Sequence, residues 1–164
     1  MEKGKHSPTW REKLEKDMLP KLVNVPPKWA TLIGKGKMLI PTPLQIDAAV
    51  RKIPKGKLAT VNAIRHYLAD EARADMTCPL TTGIFLNISA HAAEEDKLNG
   101  KKRITPYWRV LKETGQLNPK FPGGIVQQAA YLKKEGFEVL GSKSGKHFFV
   151  KNYAEKCFFE YQRK

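Results

Sequence analysis

Apolar residues recur at helical spacing in the segment that begins at Thr42. Thr42 is a residue type that caps helices, and Pro43 suits the first helical turn. Leu44, Ala48 and Val50 would then form part of the buried face of this helix. A proline and a glycine shortly afterwards end it.

Two further helices are predicted after this one. Thr60 can cap the first of them. Its apolar positions follow the helical repeat: Val61, Ile64, Tyr67 and Leu68. Pro79 begins the second, which extends to about Glu94. Two helices joined by a short polar segment are typical of a helix-turn-helix.

The C-terminal third predicts one more helix and a hairpin. The helix covers residues 125–135, and four residues occupy its buried side: Val126, Ala129, Ala130 and Leu132. Gly136 is well placed to end it in the left-handed conformation. Residues 137–140 and 146–150 flank a Gly-Ser-Lys-Ser-Gly segment, which predicts a β-hairpin with a basic tip. The whole pattern predicts a mainly α protein of the α+β class.

The chain divides into three predicted parts, which are a basic N-terminal arm (1–41), a compact domain (42–140) and a C-terminal hairpin with its extension (141–164). The arm contains a charged helix candidate at residues 9–18, followed by a stretch that prolines interrupt. Trp10 and Trp29 are expected to dock this arm on the domain.

The charge of the chain is large and uneven. Thirty basic and 16 acidic residues give a net charge of +14. Basic residues outnumber acidic ones by 13 to 5 in residues 1–57 and by 15 to 5 in residues 97–164, whereas residues 58–96 hold 2 against 6. Lysine and arginine release condensed counterions from a polyanion, so nucleic acid is the predicted partner. The alternative is that these lysines only keep the protein soluble.

Several other classes of function are not indicated. Cys78 and Cys157 lie far apart in a pattern that predicts neither a disulfide framework nor a metal site, and no cofactor is expected. No run of about 18 apolar residues occurs, and residues 1–10 lack the apolar centre of a signal peptide. We therefore expect no membrane partner, a cytoplasmic, nucleoid-associated location and a monomer.

Four motifs follow one another in a fixed order. They are Ile53-Pro54-x-Gly56-Lys57-x-x-Thr60, Pro106-Tyr107-Trp108-Arg109-Val110, Gly115 with Gly123-Gly124, and Leu132-x-x-Glu135-Gly136. In this order and spacing, over about residues 44–139, the chain resembles the alkylguanine-DNA alkyltransferases, or methylated-DNA-protein cysteine methyltransferases, and their alkyltransferase-like relatives. The resemblance implies a winged helix-turn-helix domain that binds double-stranded DNA.

The resemblance also locates a site. In that family a damaged guanine is flipped into a pocket beside a Pro-Cys-His-Arg-Val sequence, where the cysteine takes up the alkyl group as a thiolate. By the motif, Tyr107 stands where the family has its cysteine and Trp108 where it has its histidine. Glu135 stands where the family has the glutamate that orients this histidine. A phenol titrates near pH ~10, so Tyr107 offers no nucleophile at neutral pH. The resemblance therefore implies a lesion pocket without a catalytic residue, in a protein that is not an enzyme.

Further roles are implied by position in the family pattern. The predicted DNA contacts are Thr60, Thr81, Thr82, Asn87 and Asn99. Pro106 and Arg109 are predicted to be structural residues of the motif. The chain departs from the family pattern in two ways. It has Val61 where the family has a tyrosine. It also has no arginine between Arg73 and Arg103, where the family has the arginine that fills the gap left by a flipped base.

These expectations lead to one predicted function and two alternatives. A flipped base can stack on Tyr107 and Trp108, which predicts non-catalytic recognition of alkylated or otherwise damaged DNA and its presentation to other repair proteins. The first alternative is an active methyltransferase of unusual chemistry, with Cys78 as its nucleophile. The second is a general DNA-binding or regulatory protein that kept only the fold, in which the two aromatic residues fill the pocket.

Overall fold

Helices and short strands alternate along residues 6–159, the part of the chain that the computed structural model describes. The α-helices of that part are α1 (Trp10–Leu14), α2 (Pro27–Ile33), α3 (Pro43–Arg51), α4 (Val61–Ala72), α5 (Pro79–Leu98) and α6 (Gly124–Lys134), and two 3-10 helices cover Tyr107–Arg109 and Tyr153–Lys156. Its strands are β1 (Lys21–Asn24), β2 (Lys37–Ile40), β3 (Ala59–Thr60), β4 (Met76–Thr77), β5 (Val110–Leu111), β6 (Val139–Gly141) and β7 (Phe148–Val150). The predicted α+β class is confirmed.

The predicted start of α3 is confirmed, but its buried face is not the predicted one. The Thr42 hydroxyl accepts a hydrogen bond from the Gln45 N–H, and the Gln45 side chain accepts one from the Thr42 N–H. Leu44 is 47% exposed and Ala48 is exposed, so the prediction was wrong for these two residues. Of the predicted face only Val50 is buried, because α3 turns residues 46, 49 and 50 towards the core.

The helix pair α4 and α5 is confirmed. Thr60 caps α4, and its hydroxyl accepts a hydrogen bond from the Ala63 N–H. α5 begins at Pro79 as predicted and ends four residues beyond Glu94. Leu86, Ala90 and other apolar residues of α5 lie in the main core.

The predicted arm packs closely on α5. Trp10 stacks on His91 with ring centroids 4.4 Å apart. The backbone N–H groups of Trp10 and Arg11 donate to the Glu95 carboxylate, and the Arg11 guanidinium pairs with buried Asp96. The expected docking through Trp10 is thus confirmed, although α1 covers only the first part of residues 9–18.

A three-stranded sheet joins the rest of the arm to the helix pair. β1 and β2 are antiparallel, and β2 runs parallel to β4, which immediately precedes α5. Trp29 packs beside a second, smaller core formed by Val25, Met38 and Cys78. The three-part division of the chain stays a prediction, and residues 1–5 and 160–164 of its outer parts lie outside the described residues.

A parallel pair of short strands brings two motifs of the sequence together. β3 pairs with β5 through Ala59 and Val110, and through Thr60 and Leu111. The segment after residue 53 is thereby placed beside the segment that begins at Pro106. This pairing fixes the position of the 3-10 helix that contains Tyr107.

The C-terminal elements confirm the predicted hairpin and correct the predicted face of α6. β6 and β7 are antiparallel, and Gly136 has a φ of 91°. Ala129 and Leu132 are buried as predicted, but Val126 is 81% exposed and Ala130 is exposed, so these two were wrongly predicted as buried. Gln128 is buried instead, because its amide donates to the carbonyls of Trp108 and Val110.

None of the helices in residues 6–159 has the length and apolar character needed to cross a membrane.

Candidate functional site

Tyr107 lies in the centre of the core. It begins a short 3-10 helix, Tyr107–Arg109, directly after Pro106, and none of its surface is exposed. Its ring meets Phe121 and Tyr131 edge to face, with centroids 5.3 Å and 6.1 Å away. Aromatic pairs favour this geometry, so the Tyr107 ring is tightly held.

The Tyr107 hydroxyl is also fully engaged. It donates to Glu94 Oε1 at 2.8 Å and accepts from Gln127 Nε2 at 3.0 Å. Burial, together with the hydrogen bond to the Glu94 carboxylate, raises the pKa of Tyr107 well above its ordinary value. The phenol therefore keeps its proton and has no nucleophilic character at neutral pH.

Trp108 closes the space next to Tyr107. It is 8% exposed and stacks on Tyr131, with centroids 4.3 Å apart and an interplanar angle of 12°. The Arg109 guanidinium lies 5.6 Å from the centroid of its ring. Its indole N–H has no partner among residues 6–159. Tyr107 and Trp108 are thus both buried, and their rings meet edge to face with centroids 5.5 Å apart.

Glu135 is held by Arg109. Arg109 Nε lies 3.0 Å from Glu135 Oε2, and Arg109 Nη2 lies 2.5 Å from Glu135 Oε1. Arg109 Nη1 also donates to the Ile53 carbonyl at 2.7 Å. These contacts link the end of α6, the 3-10 helix and the segment after α3. Glu135 is therefore occupied by Arg109 and does not contact Trp108 as a carboxylate would contact a histidine.

The five residues predicted to contact DNA have very different environments. The Thr60 hydroxyl caps α4, and the Thr81 hydroxyl is 3.5 Å from the Cys78 carbonyl. Thr82 is 1% exposed and donates to the same carbonyl at 2.7 Å, so in this structure it has no surface for a ligand. Asn87 is half-buried and its Oδ1 lacks a partner within residues 6–159, whereas Asn99 is exposed at the end of α5.

Four residues that the sequence analysis did not single out complete the surroundings of Tyr107, namely Glu94, Lys97, Gln127 and Tyr131. The Tyr131 hydroxyl donates to Glu94 Oε1 at 2.8 Å and accepts from Lys97 Nζ at 2.8 Å. The sequence signal was the spacing of Glu94 and Lys97 and of Gln127 and Tyr131 on one face of each helix. The prediction missed that signal because it assigned Val126 and Ala130, together with the buried Ala129 and Leu132, to the core side of α6.

The two cysteines lie away from this cluster. Cys78 is buried in the second, smaller core, whereas Tyr107 belongs to the main core. The Cys157 thiol donates to the Tyr153 carbonyl, and burial raises its pKa. Burial therefore disfavours a thiolate at Cys157.

The first turns of α5 form an uncharged surface. No Asp, Glu, Lys or Arg occurs between residues 79 and 93. Leu80 is 60% exposed and Ile84 is 50% exposed, one helical turn apart. Gly83 lies between them, with open space where a Cβ would stand.

No family model and no curated protein matches this chain. Its fold is similar to two solved structures from S. pombe. One is Atl1 in complex with damaged DNA containing O6-carboxymethylguanine, with 22% identity, a TM-score of 0.49, and coverage of 71% of this chain and 93% of that chain. The other is ATL in complex with DNA, with 21% identity, a TM-score of 0.48 and the same coverage.

Proposed function

We propose that this protein is a non-catalytic DNA-binding protein of the alkyltransferase-like type that recognises alkylated or otherwise damaged DNA. The observation that carries the proposal is its charge. A surplus of 14 positive charges, concentrated in the segments before α4 and after α5, suits a polyanionic partner. The similar S. pombe proteins are bound to DNA in their structures, which agrees with this assignment.

The proposed mode of binding is that of a winged helix. α4 and α5 would form the helix-turn-helix, and the β6–β7 hairpin, with exposed Lys143 and Lys146 at its tip, would form the wing. The uncharged surface with Leu80 and Ile84 would face the minor groove, where apolar side chains can enter between base steps. The flanking lysines would contact the phosphates.

Two features support the absence of catalysis. The family position of the nucleophile holds Tyr107, whose proton is retained by burial and by Glu94. The position of the activating histidine holds Trp108, which has no basic nitrogen. Neither residue can form the bond to the alkyl carbon that a cysteine thiolate forms during the transfer.

Incubation with a duplex that carries a labelled methyl group on guanine tests this point. We expect binding of the duplex and no transfer of label to the protein. Stoichiometric transfer would overturn the proposal in favour of an active methyltransferase. Mass spectrometry of peptides containing Cys78 and Cys157 would then identify the acceptor.

General DNA binding without lesion preference is a second candidate, favoured by the filled space around Tyr107. A flipped base could stack on Trp108 only if the stack with Tyr131 opened. Affinities for plain and alkylated duplexes of one sequence separate the two candidates. Tighter binding of the alkylated duplex supports damage recognition, and equal affinities support general binding.

A monomeric state, a cytoplasmic, nucleoid-associated location and an association with other repair proteins complete the proposal. Sedimentation of the free protein tests the monomeric state. The distribution of the protein in the cell tests the proposed location.

A further inference from the structure

A depression of about 370 Å³ lies on the outer side of the aromatic cluster. Its walls are Lys97 at the end of α5 and Gln127, Ala130, Tyr131 and Lys134 of α6. Pockets of ~300–1,000 Å³ hold small organic ligands. The depression therefore has room for one nucleotide, and it adjoins Tyr107 through the Gln127 amide.

Side chains at and behind this depression already form a hydrogen-bonded network. Glu94 Oε1 accepts from both Tyr107 and Tyr131, and Lys97 Nζ donates to the Tyr131 hydroxyl and lies 4.9 Å from the centroid of its ring. The inner face of Tyr131 is covered by Trp108. A ligand would thus meet a preformed wall whose tyrosine cannot turn freely.

Hydrogen-bond donors remain free at the mouth. Lys97 uses one of its three N–H groups for Tyr131, and the Gln127 amide uses one of its two for Tyr107. The Lys134 ammonium has no hydrogen bond or ion pair with any residue of the described part of the chain. Two ammonium groups against the single carboxylate of Glu94 leave a net positive charge, which selects an anion.

We propose that this depression binds one nucleotide of the DNA, with its phosphate between Lys97 and Lys134 and the free N–H of Gln127 as a further donor. The inference rests on the proposed DNA binding. It adds a contact surface formed by α6 and the end of α5, apart from the helix-turn-helix. It also places a nucleotide beside the aromatic cluster while Tyr107 and Trp108 remain packed.

Lys134→Gln tests the proposal, with Lys133→Gln as its matched control. Both lysines are exposed residues in the last turn of α6, so either change removes the same charge from the same helix end. Only Lys134 lines the depression. We expect Lys134→Gln to weaken duplex binding by about 3- to 10-fold and to reduce the salt dependence by about one counterion. Lys133→Gln should change the affinity by less than about 2-fold.

The outcomes are distinguishable. If the unaltered protein does not bind duplex DNA, the proposed function fails, and this inference fails with it. If it binds DNA but the two variants have equal affinities, this inference alone is overturned. Competition with dGMP identifies the source of the phosphate: we expect little displacement of DNA, and efficient displacement would overturn the assignment in favour of a site for free nucleotides.

Discussion

The ion pair between Arg109 and Glu135 is the residue-scale contact that holds the site together. Their side chains are 13% and 9% exposed, so removal of one charge leaves the other buried and uncompensated. We expect Glu135→Gln to lower the free energy of unfolding by about 3 kcal/mol, measured by urea denaturation. Glu138→Gln, which removes an exposed partner of Lys151, should cost less than about 1 kcal/mol. Equal losses would contradict the bracing role of Arg109.

Tyr107 is predicted to make stability depend on alkaline pH. Its pKa is raised in the folded protein by burial, while an unfolded phenol titrates near pH ~10. The unfolded state therefore loses the proton first, and stability that is complete below pH ~10 falls as the pH rises further, by at most about 1.4 kcal/mol per pH unit.

Tyr107→Phe isolates this effect. The variant loses two hydrogen bonds and should be less stable by about 1–2 kcal/mol at neutral pH. It has no phenol to titrate at this position, so the difference from the unaltered protein should shrink above pH ~10. Urea unfolding at a series of pH values measures both curves. Parallel curves would show that Tyr107 does not retain its proton in the folded state.

At the scale of elements, the docking of α1 depends on one carboxylate of α5. Glu95 accepts hydrogen bonds from the N–H groups of Trp10 and Arg11. We expect Glu95→Ala to reduce the protection of the α1 amides against hydrogen exchange by about 10-fold, since a lost hydrogen bond to a charged group costs about 1.5 kcal/mol. The amides of α6 serve as the internal reference. Unchanged protection of α1 would mean that the Trp10–His91 stack alone holds it.

At the scale of the whole molecule, the net charge of +14 predicts strongly salt-dependent DNA binding. Contacts with about four phosphates would lower the affinity by roughly 100-fold between about 50 and 200 mM salt. Fluorescence anisotropy with a labelled duplex measures this slope. Plain and alkylated duplexes should share it, because a lesion on a base adds no phosphate contact. Salt-independent binding would contradict the electrostatic origin of the interaction.

The local features of the chain were predictable because each depends on neighbouring residues. Thr42 and Thr60 cap helices through hydrogen bonds three residues away, and Gly136 ends α6 because glycine accepts a positive φ. The hairpin β6–β7 follows from its turn residues. The charge surplus depends on composition alone, so the predicted class of partner needed no fold.

The environments of the site residues were decided by tertiary structure. Val126 and Ala130 look like core residues in the sequence, yet α6 turns Gln128 inward because the two carbonyls that accept its amide lie on the 3-10 helix and the strand after it. Tyr107 is sealed because Glu94, 13 residues away, meets its hydroxyl.

The sequence by itself thus determined helices α3 to α6 and the C-terminal hairpin, the sign and size of the charge, and the absence of a sulfur at position 107, whereas α2 and the strands on either side of it were not predicted. Tertiary structure alone decided that Tyr107 and Trp108 are packed, that Glu135 is held by Arg109, and that an open depression lies beside them. The reason is the separation of the interacting residues along the sequence. Caps and turns are satisfied within about four residues, whereas the contacts that fill or empty a cavity join segments that only the fold brings together.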